Sequence, residues 1–363
     1  MTAVPGSASA MPFSDRGWIN LSDAAALADK VTRHLEEHGA RVERAGNRFR
    51  LSLDFSSAEL EASPARLDIR IAAADSSLLH EVRMLLQEHL LEFAEQPAGR
   101  VEWKGYIPAA GVPPNFRLMR VVAARAISPH MRRVTLAGDD LLRFSGSRHF
   151  HCKLLIPPTE IEAQWPSLDA DGRFVWPDGP GRPIVRKYTI RSVDLAASTL
   201  DIDFVLHDVP GPGASWAAAA RPGDCVGLVG PGGRAGIPAD RCLLAGDETA
   251  LPFLSRIAET LPAGTKALLL VEVADAFDEL AVTSAAELEI RWLHRHGAPA
   301  GTTRLLEDAI RATDWLGDAQ SASAVVGCEQ EAALAIRKLL RGEKGLAAER
   351  QLVVPYWRRG VEG

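Results

Sequence analysis

The feature that most constrains the fold of this chain is a change of sequence pattern near position 240. From Arg117 onward, short apolar stretches of strand length are separated by turn residues, a spacing typical of an antiparallel barrel. Beyond Arg241, apolar strands such as CLLAGD and KALLLVEV alternate with helical stretches, which indicates a parallel sheet with helices on both faces. The sequence therefore predicts an antiparallel Greek-key β-barrel followed by an α/β parallel-sheet domain.

A separate unit is predicted before the barrel. The stretch DAAALADKVTRHLEEHG has helical periodicity, ARVERAGNRFRLSLDF alternates like a hairpin around Gly46 and Asn47, and a second amphipathic helix follows. We expect a flexible tail over residues 1–15, a small α+β domain over 16–104 and a linker rich in proline and glycine over 105–116. The barrel is assigned to residues 117–236 and the α/β domain to residues 237–363.

Composition and charge exclude several classes of protein. The 363 residues carry a formal net charge of −6, which argues against duplex nucleic acid as the main partner, because phosphates require a basic surface. The four cysteines stand singly, without the close pairs of zinc or iron–sulfur sites, so no metal centre is expected. The sequence shows no signal-peptide pattern and no apolar run of about 20 residues. With unpaired cysteines, we expect a cytoplasmic protein without a membrane span.

A cation-rich strand, VRKYTIRSVD, stands out within the predicted barrel. Because side chains alternate along a strand, Arg186 and Tyr188 face one way, while Lys187, Thr189 and Arg191 face the other. A flat, electron-poor ring with a phosphate tail needs an aromatic side chain, a hydroxyl and a guanidinium, and one strand end offers all three. The alternative interpretation is a solvated barrel strand with a packed tyrosine.

Two further segments offer contacts to a phosphate-bearing ligand. In LDIDFVLHD, Asp203, Val205 and His207 share one face, although His207 also fits as a polar residue at a strand end. The loop VPGPGASW then opens into a helix near Ala214 and Ser215. Free amide groups at such a helix start can bind a pyrophosphate, and a plain connector is the alternative.

These motifs, taken in order, resemble one family. The set SPHMRRVTLAGDDL, HCKLLIP, RKYTIR, LDIDFVLH, GPGASWA, LAGDETALP and YWRRG is similar to that of the siderophore-interacting proteins, a branch of the ferredoxin–NADP reductase-like flavoproteins. The resemblance covers residues 117–363. The unit over residues 16–104 resembles a small domain family of unknown function that occurs alone or fused to such proteins.

The resemblance implies that FAD binds the barrel domain and that NADPH or NADH binds the α/β domain. Tyr188 and Thr189 would tune the flavin, and no side chain would act as a nucleophile or as an acid or base. The implied FAD contacts are Arg186, Tyr188, Thr189, Arg191, Asp203, Val205, His207, Ala214, Ser215 and Trp216. Many family members have one more residue between GPAS and the tryptophan, whereas Ser215 directly precedes Trp216 here.

The resemblance also implies contacts to the nicotinamide and to the substrate. The segment LAGDETALP leads from a strand into a helix, and Gly246, Asp247, Glu248 and Thr249 are interpreted as a wall beside the nicotinamide. The alternative is a helix capped by Asp247 or Thr249. Lys153 and Arg358 would bind an anionic or oxygen-rich iron complex. Ser215 occupies a third position that is often basic in the family, and the candidates to replace that charge are Arg221 and Arg234.

The sequence therefore predicts an NAD(P)H-dependent, FAD-containing reductase that releases iron from a ferric siderophore by reducing iron(III) to iron(II). Two alternatives stay open. One is a flavin reductase that passes electrons to a protein acceptor, and the other is a non-catalytic siderophore carrier or sensor. The sequence names no protein partner.

Overall fold

A computed structural model describes residues 11–37, 40–53, 56–94, 101–105, 111–147, 149–169, 174–207, 211–233, 239–314 and 321–361. The chain divides into two compact units. The first contains Met1–Phe116 and Ala163–Arg182, and the second contains Arg117–Glu162 and Pro183–Gly363. None of the helices in the described part of the chain is long and apolar enough to cross a membrane.

Strands and helices are numbered in chain order. The strands are β1 (Phe13–Asn20), β2 (Arg41–Ala45), β3 (Arg48–Leu53), β4 (Ser56–Ser63), β5 (Arg66–Ala73), β6 (Glu102–Gly105), β7 (Phe116–Ser128), β8 (Met131–Ala137), β9 (His151–Ile156), β10 (Ser167–Leu168), β11 (Phe174–Val175), β12 (Ile184–Asp194), β13 (Thr199–Val205), β14 (Cys225–Gly232), β15 (Arg241–Asp247), β16 (Lys266–Val273), β17 (Glu287–His294), β18 (Ala322–Glu329) and β19 (Gln351–Trp357). The α-helices are α1 (Ala24–Glu37), α2 (Ser76–Phe93), α3 (Pro212–Ala219), α4 (Leu251–Thr260), α5 (Leu305–Ala312) and α6 (Gln330–Gly342). Short 3-10 helices lie at Leu142–Ser145, Ala276–Asp278 and Ala348–Arg350.

The first unit is an antiparallel sheet with the strand order β2-β3-β4-β5-β1-β6, and α1 and α2 share its apolar core. The predicted hairpin is confirmed, because β2 pairs with β3 around Gly46 and Asn47. Strand β1 differs from the expected tail, since it begins at Phe13 and pairs with β5 and β6. Its sequence, FSDRGWIN, alternates poorly in hydrophobicity, and the two neighbouring strands that hold it are distant in sequence.

The segment Ala163–Arg182 is a second difference. It falls inside the range predicted for the barrel, yet it belongs to the first compact unit and carries the short β10–β11 pair. Within that unit Trp165 packs on Phe116, with 5.8 Å between the ring centroids. Local sequence patterns do not reveal that a segment of the barrel region packs with another unit, because the contacts join residues that are far apart in the chain.

A buried polar cluster lies within the first unit. Arg83 on α2 reaches Asp15 on β1, with Nη1 3.4 Å from Oδ2, and its guanidinium lies over the Trp103 ring at 5.1 Å. His80, one helical turn before Arg83, is buried, and neither of its ring nitrogens has a hydrogen-bond partner among the described residues. Burial, followed by the charge of Arg83, lowers the pKa of His80 to about 4, whereas burial raises the pKa of Asp15 to about 6.

These two shifts give the unit an opposed pH dependence. As the pH falls from 6.5 to about 4, unfolded His80 takes up a proton that the folded form excludes, so its contribution to the free energy of unfolding is lost. The contribution of Asp15 is present below 3.8 and is lost as the pH rises through about 6. We therefore expect the free energy of unfolding of His80→Leu, relative to that of the wild type, to rise by up to about 3 kcal/mol as the pH falls from 6.5 to about 4.

The measurement is the protection of α2 amides from hydrogen exchange in the full-length chain, corrected for intrinsic exchange at each pH. Asp15→Asn should show the opposite trend. Its free energy of unfolding, relative to that of the wild type, should fall as the pH is lowered from about 6 to 3.8. A difference between His80→Leu and the wild type that does not change with pH would contradict the assignment.

In the second unit the barrel is closed, with the strand order β12-β13-β8-β7-β14-β9. All the strand pairs recorded for it are antiparallel, as predicted. The core is built from alternate residues of every strand, and Phe144, Ile190, Ile202, Phe204 and Leu228 are among its buried members. Helix α3 contributes Ala217 to this core, so its start is held against the barrel.

The sheet of the second unit is parallel, with the strand order β17-β16-β15-β18-β19. Alternate residues of its strands enter two different clusters. Leu243 and Leu268 pack with α5 and α6, whereas Leu244 and Leu269 pack with α4. Both faces therefore carry helices, as predicted, and the strand order reverses between β15 and β18, which is where such sheets form ligand crevices.

Two buried side chains join the barrel to the sheet. Arg256 of α4 donates to Ile190 O at 2.8 Å and to Gly146 O at 3.1 Å, and its guanidinium lies 4.0 Å from the centroid of the Phe150 ring. Asp278 accepts from the Ser128 hydroxyl at 2.6 Å and contacts His130 Nδ1 at 2.7 Å. These contacts join α4 to β12 and join the segment after β16 to the end of β7 and the β7–β8 turn.

Candidate functional site

The site begins on the paired strands β9 and β12. The register places Lys187 opposite Lys153, Tyr188 opposite Cys152 and Thr189 opposite His151. Because directly paired residues project to the same side, one face carries Tyr188 with the buried Cys152, and the other carries the two lysines with Thr189 and His151. Arg186 shares the side of Tyr188, and it is half-buried.

Tyr188 lies between the barrel core and α3. Its ring centroid is 4.4 Å from that of Phe204, which in turn lies 5.7 Å from the Trp216 ring. A Cβ atom at Gly213 would come within 1.9 Å of the Tyr188 hydroxyl oxygen, so only glycine allows this approach. Burial raises the pKa of Tyr188 to about 12, which keeps the hydroxyl protonated as a hydrogen-bond donor.

Among the residues that the structure describes, none provides a side-chain cap for the start of α3. Gly211 is the N-cap residue and Pro212 follows it inside the helix, so neither supplies a capping oxygen or, for proline, an amide hydrogen. The first intrahelical bond runs from Ser215 N to Gly211 O at 2.9 Å. The amides of Gly213 and Ala214 therefore precede the helical ladder, and the helix dipole adds partial positive charge there. Ser215 is exposed and Trp216 is half-buried.

Two of the predicted FAD contacts already have partners. The carboxylate of Asp203 is buried and accepts from Arg133 Nε at 2.6 Å and Nη2 at 2.8 Å. Arg191 donates to Glu259 at 2.7 and 3.2 Å. Both side chains line a cavity of about 200 Å³ between the barrel and α4. They are thus engaged in ion pairs within the second unit.

Val205 and His207 lie at the end of the next strand. Val205 packs against the cluster that contains α4, and the ring of His207 lies 6.3 Å from that of Trp357. The structure therefore places both residues where the barrel meets the end of β19.

The segment 246–249 lies at the carboxyl end of β15. Asp247 is buried and accepts from Thr249 N at 3.0 Å and from Trp357 Nε1 at 2.8 Å. Burial raises its pKa to about 6. Helix α4 begins after Ala250 and has no side-chain cap, so the alternative in which Asp247 or Thr249 caps that helix is wrong.

The other two members of this segment are equally constrained. Glu248 is buried, and both of its oxygens accept from Arg295, Oε2 at 3.0 Å from Nη1. A Cβ atom at Gly246 would lie 2.4 Å from Gly327 O, so β15 and β18 approach closely at their ends. Both carboxylates of the segment, those of Asp247 and Glu248, are therefore engaged in hydrogen bonds.

Sequence reasoning missed a contact between His151 of β9 and Tyr356 of β19. Tyr356 of β19 places its hydroxyl 3.0 Å from His151 Nε2, and its ring lies against the position of Gly327. Burial, followed by the charges of Lys187 and Arg256, lowers the pKa of His151 to about 4, so its ring is neutral at pH 7. The motifs HCKLLIP and YWRRG contain the two residues, but nothing local shows that they meet.

The two predicted substrate residues lie close in sequence to the residues of this contact. Lys153 is exposed and lies two residues after His151, and Arg358 is exposed and lies two residues after Tyr356. Arg221 is exposed at the turn before β14, and Arg234 lies outside the described residues. Among the described residues, no group of three or more His, Cys, Asp or Glu side chains is arranged to hold a metal ion.

These features fit FAD. The flavin and its pyrophosphate need a cation, a donor at the ring and free amides, and Arg186, the neutral Tyr188 hydroxyl and the uncapped start of α3 supply these three. The buried Thr189 hydroxyl adds a polar group at the same strand end.

Comparisons with known proteins agree with this arrangement. Residues 120–235 match the siderophore-interacting FAD-binding domain, residues 239–360 match the siderophore-interacting protein family, and residues 16–104 match a domain described as an uncharacterized protein conserved in bacteria, DUF2218. Ferric vibriobactin reductase ViuB of Vibrio cholerae is 36% identical over 248 residues, which cover 67% of this chain and 90% of the relative.

Two further matches point the same way. The NADPH-dependent ferric-chelate reductase of Escherichia coli is 34% identical over 208 residues, which cover 55% of this chain and 80% of the relative. A crystal structure of a siderophore utilization protein from T. fusca is 41% identical, with a TM-score of 0.61, and the match covers 68% of this chain and 94% of that one. The chain therefore belongs to the siderophore-interacting protein family.

Proposed function

We propose that this protein is an NAD(P)H-dependent, FAD-containing ferric-siderophore reductase. The observation that carries the proposal is the close approach of the uncapped α3 start to Tyr188, with Arg186 on the same side of β12. The relatives from Vibrio cholerae and Escherichia coli, a ferric vibriobactin reductase and an NADPH-dependent ferric-chelate reductase, support the same activity.

Within this proposal, Arg186, Tyr188 and Thr189 hold FAD together with the start of α3 at Ala214, Ser215 and Trp216. When bound, FAD would supply the redox chemistry, with hydride accepted from NADPH or NADH and single electrons delivered to the iron(III) of the substrate. Arg186 neutralises phosphate charge, the α3 amides donate to phosphate oxygens, and the Tyr188 hydroxyl donates to the ring. Arg191 and Asp203 keep their ion pairs and support the barrel surface.

The α/β domain supplies the wall for the nicotinamide. Asp247 and Glu248 would repel a phosphate group, so residues 246–249 are proposed to face the uncharged ring portion of the nucleotide. The engaged carboxylates hold the wall rigid, and Tyr356 with His151 shields the strand end from water. No side chain needs to act as a nucleophile, because the reaction is electron transfer.

The ranges of the three family matches support domain limits near 16–104, 117–236 and 237–363. Strand β1 extends the first domain back to Phe13, and Ala163–Arg182 groups with that domain and not with the barrel. We also propose a cytoplasmic location, because the four cysteines are free and the electron donor is a cytoplasmic nucleotide. Fractionation of cells that make the native protein tests this location directly.

Anaerobic stopped-flow spectroscopy tests the function. The purified protein should show flavin absorbance that is lost on mixing with NADPH or NADH and returns on mixing with a ferric siderophore, with iron(II) trapped by a coloured chelator. Reduction of the flavin without reoxidation by any chelate would favour a protein acceptor. Absence of flavin from the purified protein would favour a binding protein.

The double variant Lys153→Ala, Arg358→Ala should bind an anionic ferric chelate more weakly, by about 1 to 3 kcal/mol for each lost charge-assisted contact. The effect should shrink at high salt, because charges in an open cleft are screened over about 8 Å at physiological ionic strength. The measurement is the apparent KM for the chelate at low and high salt. An unchanged KM, or a loss of FAD, would remove these residues from the substrate site.

A further inference from the structure

Strand β12, which carries the proposed flavin contacts, changes its neighbour at one residue. Its recorded pairs with β9 end at Thr189, whereas those with β13 begin at Ile190, and the register shifts between Ile190 and Ser192. At this junction the carbonyl of Ile190 accepts from Arg256 Nη1 of α4, at 2.8 Å. The junction is therefore bonded to a helix that packs on the parallel sheet.

Arg256 is a buried cation with three contacts to the barrel. Besides Ile190, it donates from Nη2 to Gly146 O at 3.1 Å, in the segment that precedes β9, and its guanidinium lies 4.0 Å from the centroid of the Phe150 ring. Burial lowers the pKa of Arg256 to about 10, so it remains charged at pH 7. A buried charge is costly, and the two carbonyls and the aromatic face compensate for the lost water. One planar fork thus holds β12 and the approach to β9 together.

The other end of α4 leads to the proposed nicotinamide wall, residues 246–249. The helix begins at Leu251, and Ala250 N donates to Asp247 O at 3.1 Å. Every residue from Leu251 to Ala258 is buried. At 1.5 Å per residue, Arg256 lies only about 8 Å along the axis from the start of the helix. One short, buried helix therefore connects the wall to the junction of β12.

The proposed reaction has one step that depends on this connection. In hydride transfer the dihydronicotinamide gives up a hydrogen with both electrons of its C–H bond, so the nucleotide is oxidised and the flavin is reduced. The reacting atoms must approach to about 3 to 3.5 Å, and a misplacement of about 1 Å can cost about a hundredfold in rate. The later transfer of electrons to iron(III) does not involve the wall, because nicotinamide is not a reactant in it.

We propose that Arg256 is a positioning residue that sets β12 against the nicotinamide wall, and that the rate of hydride transfer depends on it. The inference rests on the proposed function and adds a residue to it. Arg191 and Glu259 join the same two elements, but their ion pair is partly exposed, and pairs of that kind are weak.

The test compares Arg256→Met and Arg256→Lys with Arg337→Met. Arg337 is the matched control, because it is also a helix arginine that donates to a strand carbonyl, that of Val353, at 2.6 Å. For Arg256→Met we expect flavin reduction at saturating NADPH or NADH to be about tenfold to a hundredfold slower. Arg256→Lys keeps the charge but not the planar fork, so its rate should fall between those of Arg256→Met and the wild type. Arg337→Met should match the wild type.

Two further quantities should not follow the rate of flavin reduction. The dissociation constant of the apoprotein for FAD, and the rate at which dithionite-reduced enzyme is reoxidised by iron(III) tris-catecholate, should each stay within about twofold of the wild type. A readout without any nucleotide is hydrogen exchange of the Ile190 amide, which donates to Phe150 O at 2.7 Å. Its exchange should be about tenfold faster in Arg256→Met and unchanged in Arg337→Met.

Flavin reduction at the wild-type rate in Arg256→Met, equal slowing of reduction and reoxidation, loss of FAD or unchanged exchange at Ile190 would each overturn the inference. If Arg256→Met does not fold, Arg256→Lys provides the same test with a smaller effect. A wild type whose flavin takes no electrons from either nucleotide would overturn the proposed function, and this inference with it.

Discussion

Arg186→Ala should give a folded protein that purifies with little FAD. The Arg186 side chain is half-buried beside Tyr188, and among the described residues its Nη1 donates to the carbonyl of Val185, at 2.9 Å. Loss of a charge-assisted contact to phosphate costs about 1.5 to 3 kcal/mol, which weakens FAD binding roughly tenfold to a hundredfold. The measurement is the flavin content of the purified protein, with a titration of added FAD by fluorescence.

Arg191→Ala is the matched comparison on the same strand. Its guanidinium is bonded to Glu259, so the variant should retain FAD and lose only the contribution of a partly exposed ion pair, about 1 kcal/mol or less. Full flavin occupancy in Arg186→Ala, or loss of flavin in Arg191→Ala alone, would indicate that Arg191 and not Arg186 contacts the phosphate.

Gly213→Ala should abolish FAD binding with little change in the rest of the barrel. The added Cβ would lie 1.9 Å from the Tyr188 hydroxyl oxygen and 2.9 Å from its Cζ, distances that real contacts do not reach. The helix start and the ring must separate, which costs about 1 to 3 kcal/mol of overpacking strain and breaks the alignment of the α3 amides with Tyr188. Flavin absorbance and circular dichroism, measured on the same sample, report the two effects separately.

Gly211→Ala is the control two residues earlier. A Cβ atom at Gly211 meets nothing within 4 Å, and its φ of −70° is open to alanine. This variant should keep both its fold and its FAD. If Gly213→Ala bound FAD like the wild type, the close approach to Tyr188 would not be part of the cofactor site.

Local periodicity was enough to predict the order and type of most elements. The alternation of the barrel strands and the apolar runs of β15, β16 and β18 follow directly from which faces are buried. The hairpin at Gly46 and Asn47 was predictable because its turn residues tolerate the required backbone angles; Gly46 has a φ of +62°. Family motifs then indicated Arg186, Tyr188 and the α3 start as FAD contacts, and these stay predictions.

Long-range pairing was beyond the reach of such patterns. Strand β1 pairs with β5 and β6, which lie more than 40 residues away, and its own sequence is too polar for a strand to be predicted from it. The partners of Arg191 and Asp203 were equally hidden, since Glu259 and Arg133 lie 68 and 70 residues away along the chain. Because of these ion pairs, Arg191 and Asp203 are proposed to support the barrel surface and not to contact FAD.

The sequence by itself determined the three-part organisation, the strand and helix types and the family, because these depend on local periodicity and on ordered motifs. Only the tertiary structure decided which charges remain available to ligands. It paired Glu248 with Arg295, brought Tyr356 to His151 and set Lys187 opposite Lys153. Each of these contacts joins separate segments, so its energy depends on packing and register that no short stretch of sequence encodes.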